Sequence, residues 1–259
     1  MSRVFFLHAL GSSGREWSDV IGALGDRLDC IALDIPGFGG TPDIDLDVAA
    51  MVDWFANEVA TRPARPWAVV GHSMGGKIAT VVAARAQHGE AALADLRAIV
   101  LLAASPPAPE PMDEGRRQKM LGWIADGSID TAEAATFVDA NCATRLPDRL
   151  RTRAMEDVMR SGPVAWRAWL EKGSREDWRT AVGQIAVPTL VVAGDADGDL
   201  GEDAQSRLNL PHYPDARLEV VAGAAHLLPY EAANETASLI ARHVTPALAG
   251  ASSSGPHRS

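Results

Sequence analysis

The sequence predicts an α/β fold, a mostly parallel central sheet interrupted by a helical insertion, and three observations predict it. Short apolar runs alternate with stretches of helical periodicity along the first third of the chain, the rhythm of βαβ crossovers. These runs are apolar throughout and do not alternate with polar residues, as expected where helices cover both faces of a parallel sheet. The rhythm stops at a proline-rich segment and resumes only at Thr189.

Taken in order, Val4–His8 is the first strand, followed by a helix carrying Trp17, Val20, Ile21, Leu24 and Leu28 at helical spacing. Cys30–Asp34 is the second strand, and Val48, Met51, Val52, Phe55 and Val59 mark the second helix. Ala68–Gly71, a helix from Met74 to about His88, and Ile99–Ala103 continue the alternation. Four prolines between positions 106 and 111 then exclude both helix interior and central strand. From about Met112 to Ala186 no strand pattern occurs. Short helices are expected there, one starting at Ser161-Gly-Pro163 before Trp166, Trp169 and Leu170. Thr189–Gly194 and Leu218–Val221 are the last strands, and a final helix runs from about Tyr230 to Val244. The chain thus divides into a core of residues 1–105 and 187–249, a helical cap at 106–186, and a small polar tail at 250–259 expected to be disordered.

At 259 residues the chain fits one large domain, or a domain with an insertion. Hydrophobic residues at 47% and charged residues at 22% supply a sizeable core, which argues against wholesale disorder and against a disulfide-stapled miniprotein. Lys and Arg number 24 against 34 Asp and Glu, a net charge of -10. So acidic a body repels phosphate backbones and anionic lipid, which argues against nucleic-acid and membrane-surface partners. Cys30 and Cys142 lie far apart and offer neither a disulfide framework nor a thiolate metal site; two buried free thiols in a reducing compartment are expected. No apolar run approaches the ~18 residues of a membrane span. The short stretch ending at His8 reads as a strand and not as a signal peptide, so a cytoplasmic protein is expected.

Gly71-His-Ser-Met-Gly75 fits the pattern G-x-S-x-G between an apolar strand and a helix. A turn this sharp holds Ser73 at its apex in a strained conformation, and bulky residues two positions away would clash. Ser73 then stands at a helix N-terminus, where free N–H groups and the helix dipole favour developing negative charge. A serine hydroxyl is a weak nucleophile and needs a base oriented by a third group. His226, in Gly223-Ala-Ala-His226 after the last strand, is the candidate base. Gly194-Asp-Ala-Asp-Gly-Asp199 offers Asp195, Asp197 and Asp199 as acids, and spacing alone leaves all three open.

With these pieces in order, the chain resembles α/β-hydrolase-fold enzymes over essentially its whole length except the polar tail. The resemblance rests on Leu7-His-Ala-Leu-Gly-Ser-Ser-Gly-Arg-Glu-Trp17, Asp34-Ile-Pro-Gly-Phe-Gly39, Gly71-His-Ser-Met-Gly-Gly76, Val187-Pro-Thr-Leu-Val-Val-Ala-Gly-Asp-Ala-Asp197 and Gly223-Ala-Ala-His226. It implies the α/β-hydrolase fold and a triad of Ser73, Asp197 and His226, because the fourth residue of the family's G-x-x-D pattern is usually the acid. It also implies an oxyanion hole made by the backbone N–H groups of Leu10, third residue of the loop matching the family's His-Gly-x, and of Met74. Two departures stand out. Ala9 replaces a family glycine, which requires that its backbone avoid positive φ. Only three residues precede the first strand, where relatives usually carry a two-stranded hairpin, so the sheet is expected to lack it, through a naturally short or a truncated N-terminus.

The resemblance implies a serine hydrolase of the carboxylesterase type. It would cleave a small-molecule ester or thioester through an acyl-enzyme, with no cofactor and no metal. Two other readings keep the same site. A C–C hydrolase, or a synthase or lyase like those of the menaquinone pathway, would need cationic cap residues facing Ser73, for which Arg145, Arg149, Arg151, Arg153 and Arg167 are candidates. A non-catalytic ligand-binding protein is the third reading, since fold does not fix function. His8 and His72 flank the site, where loop hydrogen bonding and a place in the pocket wall are expected. Lys77, one turn after Ser73, matches a position where the menaquinone-pathway synthases carry an arginine for substrate carboxylates; a structural or solvated lysine is the simpler expectation. Trp123, Trp166, Trp169 and Trp178 put four of seven tryptophans in the insertion. They are expected to form the cap's own core, with one or two facing the cleft and favouring an acyl or aromatic substrate.

Overall fold

Six apolar runs become six parallel strands, in the order β2-β1-β3-β4-β5-β6: β1 Arg3–Leu7, β2 Asp29–Leu33, β3 Trp67–His72, β4 Leu96–Leu102, β5 Thr189–Gly194 and β6 Arg217–Val221. The computed structural model describes residues 2–250, so the tail expected at 250–259 lies, past Gly250, outside the described residues. Three helices, α1 Ser18–Leu24, α2 Val48–Ala60 and α3 Met74–Gln87, connect the first strands. Between β4 and β5 the chain inserts α4 Glu114–Gly122, α5 Thr131–Ala140, α6 Asp148–Met159, α7 Pro163–Glu171 and α8 Arg179–Val182. The short helices α9 Glu202–Ala204 and α10 Leu228–Glu231 precede the terminal helix α11 Ala233–Ala249.

Strand alternation sorts the core into two layers. Val4, Phe6, Ala68, Val70, Val100 and Leu102 cluster with buried residues of α1 and α11. Phe5, Leu7, Val69, Ile99 and Leu101 cluster with α2, α3 and the insertion. Phe5 meets Phe55 and Trp67 edge-on, at ring separations of 5.4 and 5.6 Å, a geometry worth about 0.5–1.5 kcal/mol per pair beyond area burial. Strands buried along their whole length are β1, β3 and β5, where the sheet is covered on both faces; the edge strands β2 and β6 are only partly buried. Register places the carboxyl ends side by side, Leu7 opposite Gly71, His72 opposite Leu102, Leu102 opposite Val192 and Gly194 opposite Val221. The loops that leave these ends therefore meet along one rim, and the chain reverses direction across the sheet between β1 and β3, where open α/β sheets bind ligands.

Some boundaries differ from the sequence reading for local reasons. The helix expected to reach Leu28 ends at Leu24, because Gly25 takes a positive φ of 61° and terminates it. The last helix is divided at Ala232, and α11 runs five residues beyond Val244 to Ala249 with Pro246 inside it. Cys30 and Cys142 are free but only half-buried, where full burial was expected. Among the described residues no helix is long and apolar enough to cross a membrane.

The insertion is stitched to the core at several points. Asp43 accepts hydrogen bonds from the amides of Val164 and Ala165 at the start of α7, at 3.1 and 2.9 Å, and Gly162 N–H donates to Gly37 O at 2.7 Å. Trp123, Phe137 and Trp166 form an aromatic cluster inside the insertion, and the Trp166 indole donates to Met120 O at 3.0 Å. In the core, Phe6 is fully buried against Trp17, 5.1 Å between rings. Phe6→Ala should lower the unfolding free energy by about 3–5 kcal/mol in urea titrations, the range for deleting a buried aromatic ring.

Candidate active site

The turn from β3 into α3 is dictated by close backbone contacts. A Cβ on Gly71 would stand 2.4 Å from Gly75 O, and one on Gly75 2.4 Å from Leu7 O, so neither position admits a side chain without a shift of the main chain. Between them Ser73 takes φ 49° and ψ −115°, a strained backbone for a residue with a Cβ. Its N–H donates to Leu102 O at 3.0 Å and its carbonyl accepts from Ser105 N–H at 3.0 Å, so β4 and the chain after it hold the strained turn in place. Ala103 is the other non-glycine residue with positive φ among the described residues, at 39°; Ala9 is not, which explains why alanine is accepted at that glycine position.

His226 lies on the loop after β6, and its Nδ1–H donates to Asp197 Oδ2 at 2.8 Å. The other carboxylate oxygen of Asp197 accepts the amides of Asp199 and Leu200, each at 3.0 Å. Burial opposes ionisation of Asp197, but the His226 ring and these amides outweigh it and hold the carboxyl at about 2. For His226 burial works downward, the Asp197 charge and hydrogen bond work upward, and the balance lies above the ordinary histidine value. The three aspartates of the loop are thereby told apart. Asp195 accepts the Gly223 amide at 2.8 Å and ties β5 to the base loop, Asp199 pairs with Arg116, and Asp197 alone of the three bonds the histidine.

Ser73 and His226 line one narrow cleft, about 40 Å³ in volume, together with Leu10. An imidazole whose Nδ1–H is held by an ionised carboxylate keeps Nε2 available to take a proton from a neighbouring hydroxyl. Met74, the first residue of α3, contributes an amide with no acceptor inside its own helix.

The pocket residues expected from the sequence are distributed otherwise. Trp169 lines the cleft, whereas Trp166 is buried inside the insertion and Trp123 lines a second cavity of about 320 Å³ between α4 and α5. That cavity shares Arg116, Met120, Phe137 and Asn141 with the cleft. Lys77 is not a pocket residue: fully buried, its ammonium donates to Gly173 O and Glu176 O, both at 3.1 Å, and fastens α3 to the insertion. Burial brings this lysine down to about 8, against the pull of Glu110, Glu176 and Asp177. His72 is also fully buried and bonds Glu16 and the His226 carbonyl beneath the cleft floor. His8 is a loop brace, accepting the Ile35 amide at Nε2 and donating from Nδ1 to Ala9 O. The five arginines named as candidates from the sequence turn away, Arg145 to Asp148, Arg149 and Arg153 to Asp19, Arg151 to Asp139 and Arg167 to Glu171.

The cleft's remaining walls were not singled out in the sequence. Arg116 and Phe137 come from amphipathic helices whose cleft-facing side is set by packing against other helices. Glu110, bonded to the Ser105 hydroxyl at 2.7 Å, was the more legible, a lone acid in a stiff proline run leaving the carboxyl end of β4. Among the described residues no group of three or more His, Cys, Asp or Glu side chains is placed to hold a metal ion.

A family model described as "Alpha/beta hydrolase family" matches residues 4–239. The chain belongs to this family. It is 28% identical over 233 residues to the pimeloyl-[acyl-carrier protein] methyl ester esterase of Neisseria meningitidis serogroup B, an alignment covering 87% of this chain and 86% of the relative. It is 29% identical over 245 residues to a non-heme chloroperoxidase of Kitasatospora aureofaciens, covering 86% and 84%. Among solved structures, an esterase from Exiguobacterium antarcticum superposes with a TM-score of 0.81 at 18% identity, covering 94% of this chain and 92% of that one, a likeness of fold.

The Asp197–His226 pair gives the hydrolase a definite acid response. Asp197 keeps its charge down to about 2 when folded, against 3.8 for an ordinary aspartate, so its contribution to stability is complete above the unfolded value and disappears as the pH falls through the folded one. Between about pH 5 and pH 2 the protein should lose roughly 2 kcal/mol more stability than Asp197→Asn, read from urea unfolding at a series of pH values.

Proposed function

We propose that this hydrolase is a serine esterase in which Ser73 is the nucleophile, His226 the general base and Asp197 the acid that orients it. The observation that carries the reading is the 2.8 Å bond between His226 and Asp197 at a cleft lined by both His226 and the strained Ser73. His226 Nε2 takes the Ser73 proton as Oγ attacks the ester carbonyl. The Leu10 and Met74 amides receive the oxyanion, where charge develops and each such donor is worth about 10²–10³-fold in rate. Collapse expels the alcohol, protonated by His226, and leaves an acyl-enzyme. Water activated by the same imidazole then releases the carboxylic acid.

The helices α4–α8 act as a cap in this reading. A cleft of about 40 Å³ has room for roughly three waters, so a whole ester enters only as the cap or its side chains move aside. The 320 Å³ cavity behind Met120 and Phe137 offers an apolar place for an acyl chain. Relatives named for pimeloyl-[acyl-carrier protein] methyl ester make a methyl ester of a carrier-bound acyl chain the first physiological-type substrate to try. The C–C hydrolase and synthase readings lose the five arginines named for them, which pair with carboxylates elsewhere; the cap arginine that lines the cleft is Arg116, and it is engaged by Asp199 and Asn141.

Ser73→Ala should lower turnover of short p-nitrophenyl esters by at least about 10³-fold and abolish both the burst of first product and labelling by a fluorophosphonate. Asp197→Asn should cost about 10⁴-fold in kcat. Undiminished turnover by Ser73→Ala would overturn the assignment.

A further inference from the structure

His72 immediately precedes the proposed nucleophile, yet its ring points away from the cleft into the protein. Both it and its partner Glu16 are fully buried. Nδ1 lies 3.1 Å from Glu16 Oε1, and Nε2 lies 2.8 Å from the backbone carbonyl oxygen of His226. The rings of His72 and His226 are 5.2 Å apart, tilted by 41°. The His72 ring thus meets both the main chain and the ring of His226.

A carbonyl oxygen only accepts, and an ionised carboxylate only accepts, whereas a neutral imidazole carries a single N–H. His8 provides the contrast inside the same molecule. Its ring meets one donor, the Ile35 amide, and one acceptor, Ala9 O, which suits the neutral form, and burial lowers its pKa. His72 meets two acceptors. A second proton is required, and the 3.1 Å separation falls in the range of N–H···O bonds and is long for a carboxylic acid O–H donor. The second oxygen of Glu16, Oε2, is buried and has no hydrogen-bond partner among the described residues, so the hydrogen bond from His72 is what compensates a charge on this carboxylate. The charge of Glu16 also acts on His8 and on Tyr230 of α10, as does that of Asp157 on α6, which is paired with Arg15 and Arg160.

We propose that His72 is a buried imidazolium, paired with Glu16, that positions the catalytic base by donating to the His226 main-chain carbonyl. The proposal rests on His226 being the base. Glu16 lies in the 3₁₀ turn after β1, His72 ends β3 and His226 follows β6, so one ion pair ties three strand ends together behind the reacting atoms. The nucleophile's own neighbour thereby sets where the base loop sits. His72 and Glu16 touch no substrate; they act through His226.

The test is histidine-selective ¹⁵N NMR on the full chain, with kinetics of two variants. In the wild-type protein near neutral pH, both ring nitrogens of His72 should be protonated. In Glu16→Gln the amide can donate to Nδ1, so a neutral ring satisfies both contacts and one ring nitrogen should lose its proton. His72→Ala should lose about 10²-fold in kcat with KM changed by no more than about twofold, the mark of a misplaced base and not of lost substrate binding. A neutral His72 in the wild-type spectrum overturns the proposal even where His72→Ala fails to fold, and so does wild-type kcat in a folded His72→Ala. His226→Ala separates this from the underlying reading: if that variant keeps full activity, His226 is not the base, whereas an inactive His226→Ala beside a fully active His72→Ala removes only the positioning pair.

Discussion

Where β3 turns into α3, the main chain passes so close to itself that two side chains must be absent. Gly71 would strike Gly75 O, and Gly75 would strike Leu7 O, the last residue of β1. The same tightness makes the positive φ of Ser73 affordable, because β4 and its continuation grip the turn from both sides, through Leu102 O and Ser105 N. A third contact that the sequence pattern does not specify completes it: a Cβ on Gly76 would lie 2.4 Å from the Ala104 Cβ. The hydroxyl that results is fixed relative to the sheet, and the sheet in turn fixes where β5 and β6 deliver their loops. Loss of this close approach would leave an ordinary strand-to-helix turn and remove Ser73 from the cleft it shares with His226.

The base loop is held from two directions at once. From the core side it receives Asp197 at the His226 ring, while Glu231 accepts the Ala225 amide at 3.0 Å. From the insertion side, the carbonyl of Asn141 accepts both the His226 and Leu227 amides at 3.1 Å, and the Ala143 amide returns to Glu231 at 2.6 Å. Asn141 also receives Arg116, which reaches across to Asp199 in the loop that carries the acid. The insertion is therefore more than a cover. The insertion and the loop that carries His226 are thus coupled through a few hydrogen bonds of roughly 1 kcal/mol each.

How much of this was legible in the sequence follows from what each feature depends on. The elbow could be read directly, because its constraint is local: glycines two residues to either side of a serine between a strand and a helix have one steric explanation. His226 was legible by position, as a polar residue on a loop leaving the rim. Asp197 could not be chosen by spacing from Asp195 and Asp199, since all three share one short loop; only the family pattern separated them, and the geometry gives each a different partner. The helical insertion was legible as an absence of strands, but not its inner wall. Lys77 and the cap arginines were identified by residue type as candidate cations, and packing sent them elsewhere, because a helix side chain's direction depends on neighbours far away in sequence. His72 was legible as a residue flanking the serine, with loop hydrogen bonding or a place in the pocket wall expected of it; its pairing with Glu16 was not, because that partner lies 56 residues away in the chain.

The division between what is local and what is not has a physical root. Proton transfer needs atoms placed to within a fraction of an ångström, and such placement comes from backbone geometry: strand register, a tight turn, amides on a carboxylate. Those devices leave short, readable traces. The shape of the substrate cavity is set instead by Phe137, Met120, Trp169 and their neighbours on separate helices, where many combinations of apolar side chains fill the same volume. Asn141 is where the two regimes touch. It lies in the insertion beside both cavities, and its carbonyl holds the loop that carries His226. A change in cavity shape that displaces the end of α5 would therefore reach the chemistry, whereas one confined to Trp123, on the far side of the second cavity's wall, leaves the base loop's hydrogen bonds untouched.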